Sequence, residues 1–191
     1  MRWVALALVA CLAVSAAADN ELSGRRAPGF SLPDADFNRY DLQDYHGSKW
    51  VVIEFMNTAC PFCRDLSKSI EEIKLKYDRK VQFLAVVLPP DTTATVAKYI
   101  AELNLTYPLL FDQGQMAASY FNASPKNPRF HTPHVFIIDP GGMIVRDFGH
   151  SEENHGLLEP VGLSKLLDDL ISGKAAPIPM KRQSAALIEP R

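Results

Sequence analysis

Cysteine is scarce in this chain. Among 191 residues there are three, at positions 11, 60 and 63, and the first lies in a leader-like segment. No second Cys pair exists to close a tetrahedral zinc site around Cys60 and Cys63. Charge of one sign is lacking as well. A formal net charge of −2 gives no basic footprint for nucleic acid and none for an anionic membrane. The sequence shows neither an internal repeat nor a low-complexity tract, which excludes solenoids and arrays. The apolar run from Trp3 to Val14 is too short to span a bilayer comfortably.

That run has another meaning. Met1-Arg2 supplies a positive charge, the apolar stretch follows, and Ser15-Ala16-Ala17-Ala18 ends it in small residues. This is the pattern of a secretory signal peptide over residues 1–18, with cleavage expected after Ala18. A competing reading is a lipoprotein signal, since Leu8-Val9-Ala10 precedes Cys11, which would then carry the lipid anchor. Under either reading Cys11 is spoken for and the mature chain works outside the cytoplasm, where disulfides persist. Two cysteines then remain, three positions apart. Such a pair staples no distant parts of the chain.

What is present is concentrated in Trp50 to Arg64. Val51-Val52-Ile53, continuing through Phe55, reads as a buried strand. Asn57-Thr58-Ala59 is a short turn, and Cys60-Pro61-Phe62-Cys63 falls where a helix should begin. A C-x-x-C pair at that junction has the spacing of a redox site. Two intervening residues on the first helical turn bring the sulfurs within bonding reach. The first sulfur sits over unpaired backbone N–H groups, which favour a negative charge. A cysteine so placed is expected to have its pKa lowered from about 8.5 to somewhere in roughly 3.5–7.5. Cys60 is therefore the expected attacking thiolate and Cys63 the deeper resolving thiol. Pro61 suits the first helical turn, where its missing N–H costs nothing. The alternatives are half of a zinc site, which lacks further ligands, and a structural disulfide, which would stabilise little across so short a loop.

The remaining chain reads in order. Residues 19–26 form a polar, flexible lead-in. Phe30 and Leu32 mark a short strand, with a turn at Asp36 to Arg39 and a return from Tyr40 to Leu42. Leu66, Ile70, Ile73 and Tyr77 recur at helical spacing after Cys63. Val81 to Leu88 is of strand length. Asp91-Thr92-Thr93 offers N-caps to a helix carrying Val96, Tyr99, Ile100 and Leu103. A brief strand at Pro108 to Phe111, a short helix at Gly114 to Phe121 and a loop at Asn122 to Arg129 follow. His134 to Asp139 and Met143 to Phe148 flank Pro140-Gly141-Gly142 as a hairpin. A closing helix spans about Leu163 to Ile171, with a tail over 174–191. This order predicts one α/β domain over 27–173, a mixed sheet with helices on both faces.

Four segments carry a family resemblance. They are Ala27-Pro28-Gly29-Phe30-Ser31-Leu32-Pro33-Asp34-Ala35-Asp36; Cys60 to Cys63; Tyr107-Pro108-Leu109-Leu110-Phe111-Asp112; and Thr132-Pro133-His134-Val135-Phe136-Ile137-Ile138-Asp139 followed by Gly141-Gly142. Residues 27–173 resemble the thioredoxin-fold redoxins of the AhpC/TSA superfamily, above all extracytoplasmic thiol-disulfide oxidoreductases of the TlpA/ResA type. The resemblance implies a thioredoxin-like fold with an N-terminal hairpin. It also implies disulfide exchange with protein thiols and disulfides in the reducing direction, without a bound cofactor. A membrane electron donor such as a thiol-reductase, a bacterial periplasmic location and a monomeric chain are further expectations. In that family the proline of the fourth segment is cis and faces the cysteines. Carried over, this is Pro133, with Thr132 presenting backbone to a substrate chain. An ordinary trans proline at a strand start is the alternative. Pro61 and Phe62 join Thr132 and Pro133 as expected substrate contacts.

Glu54 lies in an otherwise apolar strand, where thioredoxins carry a buried acid near the resolving cysteine. Burial raises a carboxyl pKa, which would fit Glu54 to accept the proton of Cys63. The alternative is a strand-edge carboxylate in water. There are departures too. Ala59 stands where family members often have Trp, and Leu66, beside Asp65, stands where ResA-like reductases carry Glu. Peroxiredoxins need Pro and Thr/Ser where this chain has Ile53 and Asn57, which speaks against a thiol peroxidase. A rival from another class uses His131 or His134, on either side of Pro133. Cys60, Cys63 and His134 would make a soft-plus-imidazole set for copper, as in a metallochaperone-like carrier.

Overall fold

A computed structural model describes residues 22–123 and 131–175. The leader, the start of the lead-in, residues 124–129 of the expected loop, residue 130 and the tail from 176 lie outside the described residues. Apolar β-branched runs supply the strands and three- to four-residue periodicity the helices. The strands are β1 (Arg25–Arg26), β2 (Ser31–Pro33), β3 (Arg39–Asp41), β4 (Trp50–Met56), β5 (Val81–Val87), β6 (Leu109–Phe111), β7 (His134–Ile138) and β8 (Met143–Gly149). The helices are α1 (Pro61–Tyr77), α2 (Thr93–Leu103), α3 (Gln115–Tyr120), α4 (His155–Leu158) and α5 (Pro160–Ile171).

Six strands form one sheet in the order β1-β8-β7-β4-β5-β6. It is mixed, as expected: β4 and β5 run parallel, as do β5 and β6, while β7 is antiparallel to both β4 and β8. β2 and β3 form the separate N-terminal hairpin, pairing Leu32 with Tyr40. The central strand β4 is buried on both sides, and alternation divides its side chains. Val52 and Met56 join one core with Leu66, Ile70, Val96, Tyr99, Leu163 and Leu167 from α1, α2 and α5. Val51, Ile53 and Phe55 join the other with Phe30, Phe136 and Met116, Ala117 and Tyr120 of α3. Helices therefore cover both faces. Among the described residues no helix is long and apolar enough to cross a membrane.

The lead-in reading needs correction from Leu22 onward. Arg25 and Arg26 pair with Ile144 and Met143 at the sheet edge. Buried Asp147 holds the approach, its Oδ1 accepting from the Ser23 hydroxyl at 2.6 Å and the Leu22 N–H at 3.1 Å. Polar composition suggested mobility, but these polar groups find a buried acceptor 124 residues away in sequence. The short α4 was not expected either. In the hairpin turn Gly142 adopts φ +80, a left-handed conformation that glycine enters without steric cost.

Candidate active site

The C-terminal end of β4 delivers Asn57, Thr58 and Ala59 to the start of α1, where Cys60 is the N-cap residue. Its Sγ accepts the Cys63 backbone N–H at 3.1 Å, the position a capping oxygen usually takes. Pro61 occupies the first helical position, where no N–H is needed. The α1 periodicity that buries Leu66, Ile70 and Ile73 also buries Cys63 completely. Cys60, at the helix end, stays half-buried, and both thiols are unbridged.

Three loops frame the sulfur. The Thr58 N–H donates to Asp91 Oδ2 at 2.7 Å, tying the pre-cysteine turn to the start of α2. Asn57 donates from Nδ2 to Thr132 Oγ1 at 3.1 Å. The Thr132–Pro133 bond is cis, as the resemblance implied, and the Thr132 carbonyl lies 3.7 Å from Cys60 Sγ. Phe62, 45% exposed, stacks on His150, which follows β8. The His150 N–H donates to the Pro133 carbonyl at 3.3 Å. Cys60, Pro61, Phe62, Thr132, Pro133 and His150 thus share one end of the sheet.

Glu54 is fully buried on the Cys63 side of the sheet, between Ala85 of β5 and Val135 of β7. It is not an edge carboxylate. Burial lifts its pKa from 4.5 to about 8, while hydrogen bonds from Tyr107 and Ser67 pull the other way. Burial also pushes the Cys63 thiol well up, and the nearby Glu54 charge adds to this. Proton affinities of the two groups are therefore linked through their proximity.

His134 corrects the metal alternative. It shares its strand face with Phe136 and Ile138, opposite to Val135, Ile137 and Glu54. Its ring packs edge-on against Phe121 at 4.9 Å and lies tilted by 39° against Phe136 at 4.8 Å. Nε2 lies 3.4 Å from Asp147 Oδ2. Gly149 sits opposite it in β8, where a Cβ would come within 3.2 Å of Nδ1. The imidazole therefore points away from the sulfurs, and Cys60, Cys63 and His134 do not assemble. His131 is exposed in its loop. Among the described residues no group of three or more His, Cys, Asp or Glu is placed to hold a metal ion.

Ser67, Tyr99, Tyr107 and His150 belong to the site's surroundings but carried no expectation of a role there. For Ser67 a signal existed, since four residues beyond Cys63 on a helix places it on the same face. The other three come from distant segments and have no local marker.

A C-x-x-C pair at the head of α1 beside a cis proline, on this sheet, defines a thioredoxin-like fold. The chain belongs to the AhpC/TSA family, whose profile matches residues 23–147. It is 26% identical over 122 residues to the thiol-disulfide oxidoreductase ResA of Bacillus thuringiensis (strain Al Hakam), covering 64% of this chain. The match spans 66% of that relative, just under two thirds of its length. A conserved protein of Geobacillus kaustophilus superposes with a TM-score of 0.65 at 27% identity, covering 85% of this chain and 88% of that one. A thiol:disulfide interchange protein from Chlorobium tepidum TLS gives 0.59 at 18% identity, over 73% and 97% of the two chains. That last likeness is one of fold.

Proposed function

We propose that this chain is an extracytoplasmic thiol-disulfide oxidoreductase that exchanges disulfides with protein substrates through Cys60 and Cys63, running in the reducing direction. The observation carrying the reading is the position of Cys60 Sγ, which accepts the Cys63 N–H at 3.1 Å and lies 3.7 Å from the Thr132 carbonyl. The Cys63 N–H and the helix end direct positive partial charge at this sulfur. The adjacent backbone of Thr132 offers an extended peptide a pairing edge. The similarity to a ResA protein, so named for thiol-disulfide exchange, supports the same chemistry.

In the first step the Cys60 thiolate attacks a substrate disulfide. A Cys60–substrate bond forms, and the other substrate sulfur leaves as a thiolate that takes a proton from solvent. Cys63 then gives its proton to Glu54 and attacks Cys60 Sγ. The Cys60–Cys63 disulfide forms and the second substrate sulfur departs. Two electrons pass from the cysteine pair to the substrate, so no bound cofactor is required. A membrane dithiol donor restores the reduced pair, and the enzyme acts as a monomer in the bacterial periplasm.

Insulin-disulfide reduction tests the activity. Wild type is expected to precipitate the insulin B chain, and Cys60→Ser to be inactive. The reduction potential of the Cys60–Cys63 couple tests the direction. A value below that of extracytoplasmic oxidants such as DsbA, about −120 mV, is expected, and a value at or above it would reverse the assignment.

A further inference from the structure

Three buried hydroxyls converge on the acid beside Cys63. Ser67 Oγ, on α1, donates to Glu54 Oε2 at 3.3 Å. The Tyr107 hydroxyl, just before β6, donates to the same oxygen at 3.3 Å. Tyr99, on α2, donates from its hydroxyl to Ser67 Oγ at 3.0 Å. All four side chains are buried. Glu54 Oε1 is buried too and has no hydrogen-bond partner.

The direction of this chain matters. A hydroxyl has one proton to give. Ser67 spends its proton on Glu54 and receives that of Tyr99, so the run Tyr99 to Ser67 to Glu54 is oriented towards the carboxyl. Donors aimed at a carboxylate stabilise its charged form, and most strongly where water is excluded. The groups around Glu54 leave this task to them. Ala85 and Val135 flank it on the neighbouring strands. Cys63 faces it from α1, where a thiolate would repel it. The Arg64 guanidinium lies over the Tyr99 ring, 5.5 Å from its centroid, and is paired with Glu102.

Building on the reading of Glu54 as proton acceptor, we propose that Tyr99 is a positioning residue for the exchange reaction. Acting through Ser67, and alongside Tyr107, it sets the proton affinity of Glu54 and leaves Oε1 free to take the proton of Cys63. In that step the Cys63 S–H bond breaks, an O–H bond forms on Glu54, the Cys63 sulfur's electron pair forms the bond to Cys60, and the Cys60–substrate S–S bond breaks with its electron pair leaving on the substrate sulfur as a thiolate. The balance of burial against these hydroxyls brings Glu54 to about 8. A base works best when its pKa lies near the working pH.

The test uses the reduced protein. Glutamate labelled with carbon-13 at the carboxyl reports the titration of Glu54 by NMR, with Glu54→Gln identifying the signal. Stopped-flow reaction with an aromatic disulfide separates attack by Cys60, the first thiolate released, from attack by Cys63, the second. Tyr99→Phe is expected to raise the Glu54 midpoint by about one pH unit and to slow the second phase about tenfold at neutral pH. The first phase should be unchanged. Tyr107→Phe should act with the same sign. In a Ser67→Ala background, Tyr99→Phe should shift the midpoint no further, because its link is gone. A Tyr99→Phe midpoint within about 0.2 unit of wild type, or an equal shift with Ser67 absent, would overturn the proposal. If Glu54→Gln instead keeps the wild-type pH profile of the second phase, Glu54 is not the acceptor. The carboxyl titration still decides whether Tyr99 governs its proton.

Discussion

The ring of Phe62 lies flat on that of His150, with centroids 3.6 Å apart and planes inclined by 21°. This contact joins the dipeptide between the cysteines to the segment after β8. Since the His150 N–H also holds the Pro133 carbonyl, the stack extends the surface that a protein substrate would meet beside Cys60. Phe62→Ala and His150→Ala are each expected to raise the KM for insulin several-fold and to leave kcat within about twofold, as for loss of uniform binding. Reaction with a small aromatic disulfide, which does not span this surface, should barely change. Equal losses on both substrates would show that the stack supports the helix and not the partner.

Glu54 predicts a pH-dependent stability with a definite sign. Its folded pKa, about 8, lies above its ordinary value of 4.5, so the folded chain holds this proton where the unfolded chain has lost it. The stabilising contribution is complete below about 4.5 and is lost as pH rises through about 8. Glu54→Gln removes that dependence. Relative to wild type, the variant should therefore gain stability from about pH 5 to about pH 8, by several kcal/mol in all, and level off above. Urea unfolding of the reduced proteins across this range checks it. A constant difference between the two would mean that Glu54 titrates alike in both states.

Asp147 predicts the behaviour of the N-terminal strap. Its carboxylate is fully buried and accepts from both Ser23 and Leu22. Asp147→Ala leaves those donors without their partner, which typically costs about 1–3 kcal/mol. Amide exchange should accelerate most over residues 22–27, where β1 joins the sheet, and much less in β4 and α1. Uniform acceleration across the domain would place Asp147 in the global core instead.

Local features of the site were legible, and non-local ones were not. Cys60, Pro61 and Cys63 announce themselves because helix-end chemistry acts within four residues. Glu54 stood out as a charge in an apolar strand, and its burial follows from sitting in the central strand. The Pro133 geometry came from resemblance to a family. Tyr99 and Tyr107 read only as core residues or family sequence, since nothing near them shows that Tyr107 reaches the Glu54 carboxyl directly and Tyr99 reaches it through Ser67. His134 is the instructive error. Proximity to Pro133 suggested the sulfurs, yet the two-residue alternation that puts Val135 and Ile137 on the Cys63 face puts His134 with Phe136 on the other. That signal was present in the sequence. The two-residue strand β1 had no comparable mark, because its identity depends wholly on its pairing with β8.

The division of labour between Cys60 and Cys63 is tested most directly by trapping the mixed disulfide. Cys63→Ser, incubated with an oxidised protein substrate and quenched with acid, should appear by intact mass spectrometry as a one-to-one adduct whose linkage maps to Cys60. Cys60→Ser, with Cys63 fully buried, should form no such adduct. Failure of Cys63→Ser to capture any substrate, or efficient capture by Cys60→Ser, would contradict the account.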